Sequence, residues 1–583
     1  LSYYQQAIHQ FYPAFKEENV HANPENFSGI FSYINLFHAL NGKAAAWHNI
    51  YLQKKKAIAP AKEELNTYKS AFKLIEYVER TYDSDEARLF LSKIKHAAHG
   101  KPIDIAAELY AATKDKAFIE TLYYFDQQNK GAILSLNRQL NATVSEKAST
   151  EQQKEQLLKT EITRLSIRAT QVQDSLQLVA INNTIRDHEI SLGKLKESRN
   201  APLSSKEDNI PSINSLQTQL LDDKTALVSY HLSEEKLTTT VLTKSSVDCF
   251  QQRLPENFLE DIQEEIIRTK TPTDSPVRKG NFDYFDFLLA NVPLKKIDQL
   301  VIIPDDLLAY FPFESLQDTN GKYLVESVAV QYQYSTSLLQ ENHIDFSHAR
   351  TLAFAPFANR SYDSLPMLTA SAEEVADTKG ELFINDQATK EAFLKNSSNF
   401  QIIHLATHAV ANSSAENLSY IAFAQSAKNQ NLLYTQEIYN LPLSKTGLVI
   451  LSACETGTGQ LVKGEGILSL SRAFSYAGCP NTITSLWKAN DFSTAYLTKR
   501  IYHYLNSGKS IAKAVQQAKK DYLADKSINP RLKQPYYWAH LIFMGNYTPA
   551  KDTNWFALMA PALFILLLLL ALKSPAKPGK WLA

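Results

Sequence analysis

Two short stretches of this chain combine an apolar run with a residue able to do covalent chemistry. One is Ile402-Ile403-His404-Leu405-Ala406-Thr407-His408-Ala409, and the other is Leu448-Val449-Ile450-Leu451-Ser452-Ala453-Cys454-Glu455-Thr456-Gly457. Each apolar run reads as a buried strand, which puts His408 and Cys454 just past a strand's carboxyl end. On adjacent parallel strands the two residues face each other over one sheet edge. Imidazole and thiol together are the minimum for nucleophilic acyl transfer: the ring takes the thiol proton, and the thiolate attacks a carbonyl carbon. Backbone N–H groups near the nucleophile then stabilise the oxyanion. The bland alternative for Cys454 is a small buried hydrophobe. His404, inside the strand, reads as a core residue or a support for the site. Cys249 and Cys479 read as packing residues.

Glycine sharpens the choice for Cys454. The chain has 17 glycines in 583 residues, far below the roughly 7% of average proteins. Six of them, Gly447, Gly457, Gly459, Gly464, Gly466 and Gly478, cluster around Cys454. A loop so rich in glycine can approach a ligand closely, and Gly464 and Glu465 are expected to contact substrate there. Lys463 precedes Gly464-Glu465-Gly466, the wrong order for a P-loop, so a nucleotide is not expected. There is no HExxH and no metal-ligand spacing, so no cofactor is expected. Lys+Arg and Asp+Glu are both 61, and that balance gives no general pull toward nucleic acid. Three cysteines cannot build a disulfide framework.

The elements that must carry these residues divide the chain. Residues 1–142 show apolar positions at helical spacing, as in Tyr68, Phe72, Ile75 and Val78, and read as degenerate tetratricopeptide-like helical repeats. Residues 143–217 read as a long helix or helical hairpin followed by a linker. From 218 to 547 short β-branched runs alternate with helical segments, the pattern of an α/β domain with a mostly parallel sheet. The expected strands are 226–230, 300–303, 352–355, 401–405, 448–451 and 481–486, with helices at 372–382, 390–394, 467–476 and 493–505. A linker at 548–554 leads to Trp555–Leu572, 18 residues without a charge. As a helix that run would extend about 27 Å, the thickness of a bilayer core. It is expected to be a transmembrane helix, followed by a short basic tail at 573–583. Lys573, Lys577 and Lys580 would hold that tail in the cytoplasm. The bulk of the chain would then be extracytoplasmic if a signal peptide lies upstream of Leu1, and cytoplasmic otherwise.

Several motifs, in order, resemble the CHAT domain, a caspase-like peptidase domain. They are IIPDDLLAYFPFESL at 302–316, LPMLTASAEEV at 365–375, HLATHA at 404–409 and LVILSACETG at 448–457. GEGILSLSRAFSYAGCP at 464–480, TSLWKANDFST at 484–494 and NPRLKQPYYWAHLIFMGNY at 529–547 complete the set. The helical first half resembles the tetratricopeptide region that commonly precedes such domains in bacteria. The resemblance implies a Cys-His dyad of Cys454 and His408, as in the caspase, separase and gingipain clan. It also implies an oxyanion hole from the backbone of Ala409 and Cys454, with Ala409 standing where the clan usually has glycine. In the related separases an acid in a Leu-Trp-x-x-x-Asp segment lines the S1 pocket and selects Arg. Asp491 holds that position, and its alternative is to cap the helix that follows.

The expectation is therefore a membrane-anchored cysteine endopeptidase that cleaves protein or peptide substrates after a basic residue. Its helical repeats would bind a regulatory protein or restrain the substrate. The competing expectation is a catalytically silent interaction scaffold.

Overall fold

The computed structural model describes residues 1–82, 85–142, 150–197, 210–272, 282–342, 344–362, 365–412, 418–426, 431–453, 455–488 and 490–549. Helices open the chain: α1 (Ser2–Phe11), α2 (Tyr33–Gln53), α3 (Ile58–Thr81), α4 (Asp85–Thr113), α5 (Lys116–Gln128), α6 (Ala132–Ala142), α7 (Thr150–Gln171) and α8 (Ser175–Glu197). Neighbours in sequence pack on each other, α2 on α3, α3 on α4, α4 on α5 and α7 on α8. The core of the first five holds Phe37, Leu40, Ala44, Tyr68, Phe72, Ile75, Ile119, Leu122 and Phe125. These positions recur at intervals of three and four, which puts them on one face of each helix.

The sheet domain follows. Its strands are β1 (Thr225–Leu232), β2 (Lys236–Thr243), β3 (Val247–Arg253), β4 (Gln299–Ile303), β5 (Ala329–Tyr332), β6 (Thr351–Ala355), β7 (Gly380–Ile384) and β8 (Ile402–Leu405). After them come β9 (Ala409–Val410), β10 (Tyr420–Ala422), β11 (Leu432–Tyr434), β12 (Leu448–Leu451), β13 (Gly459–Val462), β14 (Gly466–Ser469), β15 (Thr482–Ser485) and β16 (Leu541–Met544). Eleven strands form one sheet in the order β3-β2-β1-β4-β5-β16-β15-β12-β8-β6-β7. Pairing is parallel from β1 to β16 and again from β15 to β7, with β15 and β16 antiparallel between the two halves. Every residue of β4, β6, β8 and β12 is buried. That explains why these strands appear in the sequence as continuous apolar runs rather than alternating ones.

All six expected strands are present. Two expected helices are shorter than their patterns. The helix expected at 372–382 is Ser371–Ala376, and the remainder joins β6 as β7. The helix expected at 467–476 is Leu470–Tyr476, because Gly466–Ser469 pairs back on β13 as a hairpin.

The expected transmembrane helix over Trp555–Leu572 is corrected. Among the described residues no helix is long and apolar enough to cross a membrane, and residues 550–583 lie outside the described residues. The longest described helices are amphipathic. α3, at 24 residues, carries Lys62, Glu63, Glu64 and Lys73, and α4, at 29, is similarly interrupted by charge. Each buries one apolar face against neighbours instead of presenting apolar surface all round. The single-pass anchor, and the membrane localisation deduced from it, are not supported by any described helix.

Helices and sheet are joined by buried polar groups, mostly from α5 and the turn after it. Lys130 pairs with Asp126 at 2.7 Å and donates to Ser229 Oγ on β1 at 2.8 Å. Gln127 Oε1 accepts from the Thr336 N–H at 2.8 Å, and Tyr123 donates to the Pro211 carbonyl at 2.7 Å.

Candidate active site

β8 and β12 are parallel neighbours, with His404 opposite Ile450 and Leu405 opposite Leu451. Their carboxyl ends therefore lie at one edge, where sites form in sheets of this kind. His408 follows the end of β8 and Cys454 the end of β12. Cys454 itself lies outside the described residues, between Ala453, which is buried, and Glu455.

His408 is 7% exposed and is held from two sides. Its Nε2 lies 2.8 Å from the Pro366 carbonyl, and Phe357 meets its ring edge-on at 4.7 Å between centroids. A carbonyl can only accept, so Nε2 carries the hydrogen and Nδ1 keeps its lone pair. That is the tautomer a general base needs. Burial pushes the imidazole below its usual range and the charge of Lys488 adds to this, while the Pro366 carbonyl and Asp491 oppose it.

The next residue, Ala409, begins β9 opposite Ile421. The Ala422 N–H donates to the His408 carbonyl at 2.9 Å, which marks Ala409 and Ile421 as the non-hydrogen-bonded type of antiparallel pair. The ladder thus does not use the Ala409 N–H. Ala409 is also absent from the residues with positive φ among those described, so its methyl group costs nothing in a conformation where glycine would otherwise be needed.

Asp491 is the first residue of the helix Asp491–Asn506, but Asn490 caps it, accepting from the N–H groups of Phe492 and Ser493. The carboxylate of Asp491 instead accepts from the Ala370 N–H at 3.3 Å. Burial raises its pKa and nearby His408 lowers it. The structure thus brings His408 and Asp491 into one electrostatic neighbourhood.

The glycine-rich loop divides into two parts. Its first part is tied to the sheet. The Gly457 N–H donates to the Ser485 carbonyl at 2.8 Å, and Thr456 Oγ1 lies 3.0 Å from Thr484 Oγ1. A Cβ on Gly457 would stand 3.0 Å from Thr484 Cγ2 and 3.2 Å from the Ser485 carbonyl, a tight fit that favours glycine. Glu455 has a φ of 57°, an uncommon backbone state for a residue with a long side chain. The second part, the β13–β14 hairpin, runs to the helical region. Gly464 accepts from the Gly131 N–H at 3.0 Å. The Glu465 carboxylate is buried with Arg472 at 2.7 Å and accepts from the Ile133 N–H, in the first turn of α6, at 3.2 Å. The contacts of Gly464 and Glu465 therefore lead to the helices, not to His408 or Asp491.

Pro366, Phe357 and Ala370 are functional neighbours that the residue-by-residue reading of the sequence did not single out. Pro366 and Ala370 sit in the quoted stretch 365–375, but a backbone contact leaves no trace in residue type. Burial pushes the thiols of Cys249 and Cys479 up to about 12, as suits packing residues. Among the described residues no cluster of His, Cys, Asp and Glu could hold a metal ion.

A family model described as the CHAT domain matches residues 285–546. No curated protein matches the chain. Among solved structures, the Saccharomyces cerevisiae separase–securin complex is similar over 91% of this chain at 11% identity and a TM-score of 0.45. The chain covers 42% of that separase chain. The complex of the RgpB pro- and mature domains from Porphyromonas gingivalis is similar over 50% of this chain and 77% of its own, at 10% identity and a TM-score of 0.28. The Arg-specific cysteine proteinase gingipain R is similar over 50% of this chain and 74% of its own, at 10% identity and a TM-score of 0.29. Residues 285–546 thus match the CHAT domain and are preceded by an N-terminal helical region.

Proposed function

We propose that the chain is a cysteine endopeptidase in which Cys454 is the nucleophile and His408 the general base, with cleavage after a basic residue. The observation that carries this reading is the hydrogen bond from His408 Nε2 to the Pro366 carbonyl. It leaves Nδ1 as the free base, at the end of the strand beside the one that leads into Cys454. Proton transfer from the thiol to Nδ1 makes the thiolate, which adds to the scissile carbonyl. The imidazolium then returns the proton to the leaving amine, and water hydrolyses the thioester. The Ala409 N–H, unused by its ladder, is one oxyanion donor, and the Cys454 N–H is the other. Asp491 pairs with a P1 guanidinium or ammonium. The hairpin bearing Gly464 and Glu465 shapes the rim of the site and links it to the helices, which bind a regulatory protein or restrain the substrate.

The test compares the full chain with Cys454→Ala on fluorogenic peptides ending in Arg, Lys or Asp. The expected outcome is cleavage after Arg and Lys that falls by about 10³-fold or more in Cys454→Ala. Turnover that persists in Cys454→Ala removes the dyad, and equal cleavage after Asp removes the basic preference. A wild type silent on all three peptides favours the scaffold alternative.

A further inference from the structure

We propose that Glu374 and His404 form a buried pin that positions the catalytic groups without touching substrate, an inference that rests on the peptidase reading of His408. His404 is 0% and Glu374 5% exposed. His404 Nε2 lies 2.9 Å from Glu374 Oε1 and 3.2 Å from Ser452 Oγ, and its Nδ1 lies 3.1 Å from the Tyr502 hydroxyl. The carboxylate accepts the Nε2 hydrogen, and Nδ1 accepts from Tyr502. One ring thus joins β8, the end of β12, the helix Ser371–Ala376 and the helix Asp491–Asn506.

Each of those elements leads into the site. β8 continues to His408. Ser452, whose hydroxyl also donates to the Leu405 carbonyl at 3.3 Å, stands two positions before Cys454. The helix that supplies Tyr502 begins at Asp491. The segment ending in Glu374 supplies both the Pro366 carbonyl that orients His408 and the Ala370 N–H that holds Asp491. That segment has little structure of its own. Its helix is six residues long, too short to hold itself. Its front is tied by the Leu368 N–H to the Phe357 carbonyl at 2.8 Å. At its back, the side chain of Glu374 is the buried polar tie. A buried carboxylate and imidazole contribute little stability over an apolar pair of the same size, but they fix direction. Here the direction fixed is that of the Pro366–Ala376 segment against the two strand ends.

The test uses the full chain labelled with ¹⁵N-histidine, with His408→Gln to assign the His408 signals. In the wild type His408 gives the separate ring-nitrogen signals of a single Nε2–H tautomer. Glu374→Ala is expected to average those signals and lower kcat by about 10- to 100-fold, with KM changed by no more than about threefold. Glu374→Gln keeps the acceptor and is expected to restore most of both, while Glu374→Asp, one methylene shorter, falls between. A folded Glu374→Ala with wild-type His408 signals and wild-type kcat overturns the proposal. So does Glu374→Gln behaving like Glu374→Ala, because the charge and not the directed bond would then matter. If Glu374→Ala does not fold, the Asp and Gln variants decide: impairment in Asp alone supports the pin, and equal behaviour overturns it. If the wild type cleaves no peptide, the peptidase reading fails, and the His408 signals still decide the pin.

Discussion

Glu374 and Glu465 are both buried carboxylates of the sheet domain, yet they face different partners. Glu374 turns inward to a histidine that can be neutral, and it ties the site's own loops to the sheet. Glu465 turns outward to Arg472, which is always charged, and to the first turn of α6, whose N-terminus favours an anion. One carboxylate sets geometry inside the domain. The other couples the hairpin beyond Cys454 to the helical region. The difference shows that the glycine-rich loop is not one structure. Gly457 is tied to the sheet edge, and Gly464 and Glu465 belong to the interface with the helices.

The largest effect on stability should come from the outward carboxylate. Glu465→Ala leaves the Arg472 guanidinium buried without its partner, at a cost of about 3–5 kcal/mol. Glu374→Ala leaves an imidazole that still has Tyr502 and Ser452 as partners, so about 1–3 kcal/mol is expected. Urea unfolding of both variants measures the pair. Equal losses would mean that the two carboxylates do the same work, and the distinction between them would go.

Much of this arrangement can be read from the chain before any coordinates. The buried parallel strands β4, β6, β8 and β12 are continuous apolar runs, and His408 and Cys454 stand out because a reactive side chain follows such a run. The hairpin and its docking are not legible in this way. Ile467 and Leu468 have the apolar spacing of the helix that follows them, so the pattern hides a strand. Gly464 and Glu465 look like parts of a ligand loop because a glycine that meets a substrate and one that meets Asn129 have the same sequence signature. The uncharged run at 555–572 is a different case. That run lies outside the described residues, and among the described residues no helix is long and apolar enough to cross a membrane.

A smaller effect should separate the two parts of the loop. Gly464 has a φ of +84°, and a Cβ there would lie 2.3 Å from Asn129 Nδ2 and 2.8 Å from the Asn129 carbonyl. Gly464→Ala therefore strains the backbone and pushes the hairpin off the helices, at about 1–3 kcal/mol. Limited proteolysis should find the hairpin more readily cut in this variant, while the 455–458 turn stays protected by its bonds to β15. Cleavage that rises equally in both parts would show that they move as one unit.

The smallest effect is electrostatic, and its sign is fixed by the charges around His408. Burial holds this imidazole below its usual range, so it stays neutral as pH falls below about 6.5, the ordinary histidine value. The acidic limb of kcat/KM, which reports the base of the free enzyme, should accordingly lie below that pH. Stability follows the same linkage. With the folded pKa depressed, the unfolded state binds the extra proton as pH drops through 6.5, so acidification favours unfolding. Asp491 raises the His408 pKa and Lys488 lowers it. Asp491→Asn should therefore move the acidic limb to lower pH, and Lys488→Met should move it to higher pH. The rates are measured on a peptide with a neutral P1 residue, to keep pocket charge out of the comparison. Opposite shifts place both charges beside the base. Identical profiles would mean that neither side chain faces His408, and Asp491 would then lose its place at the site.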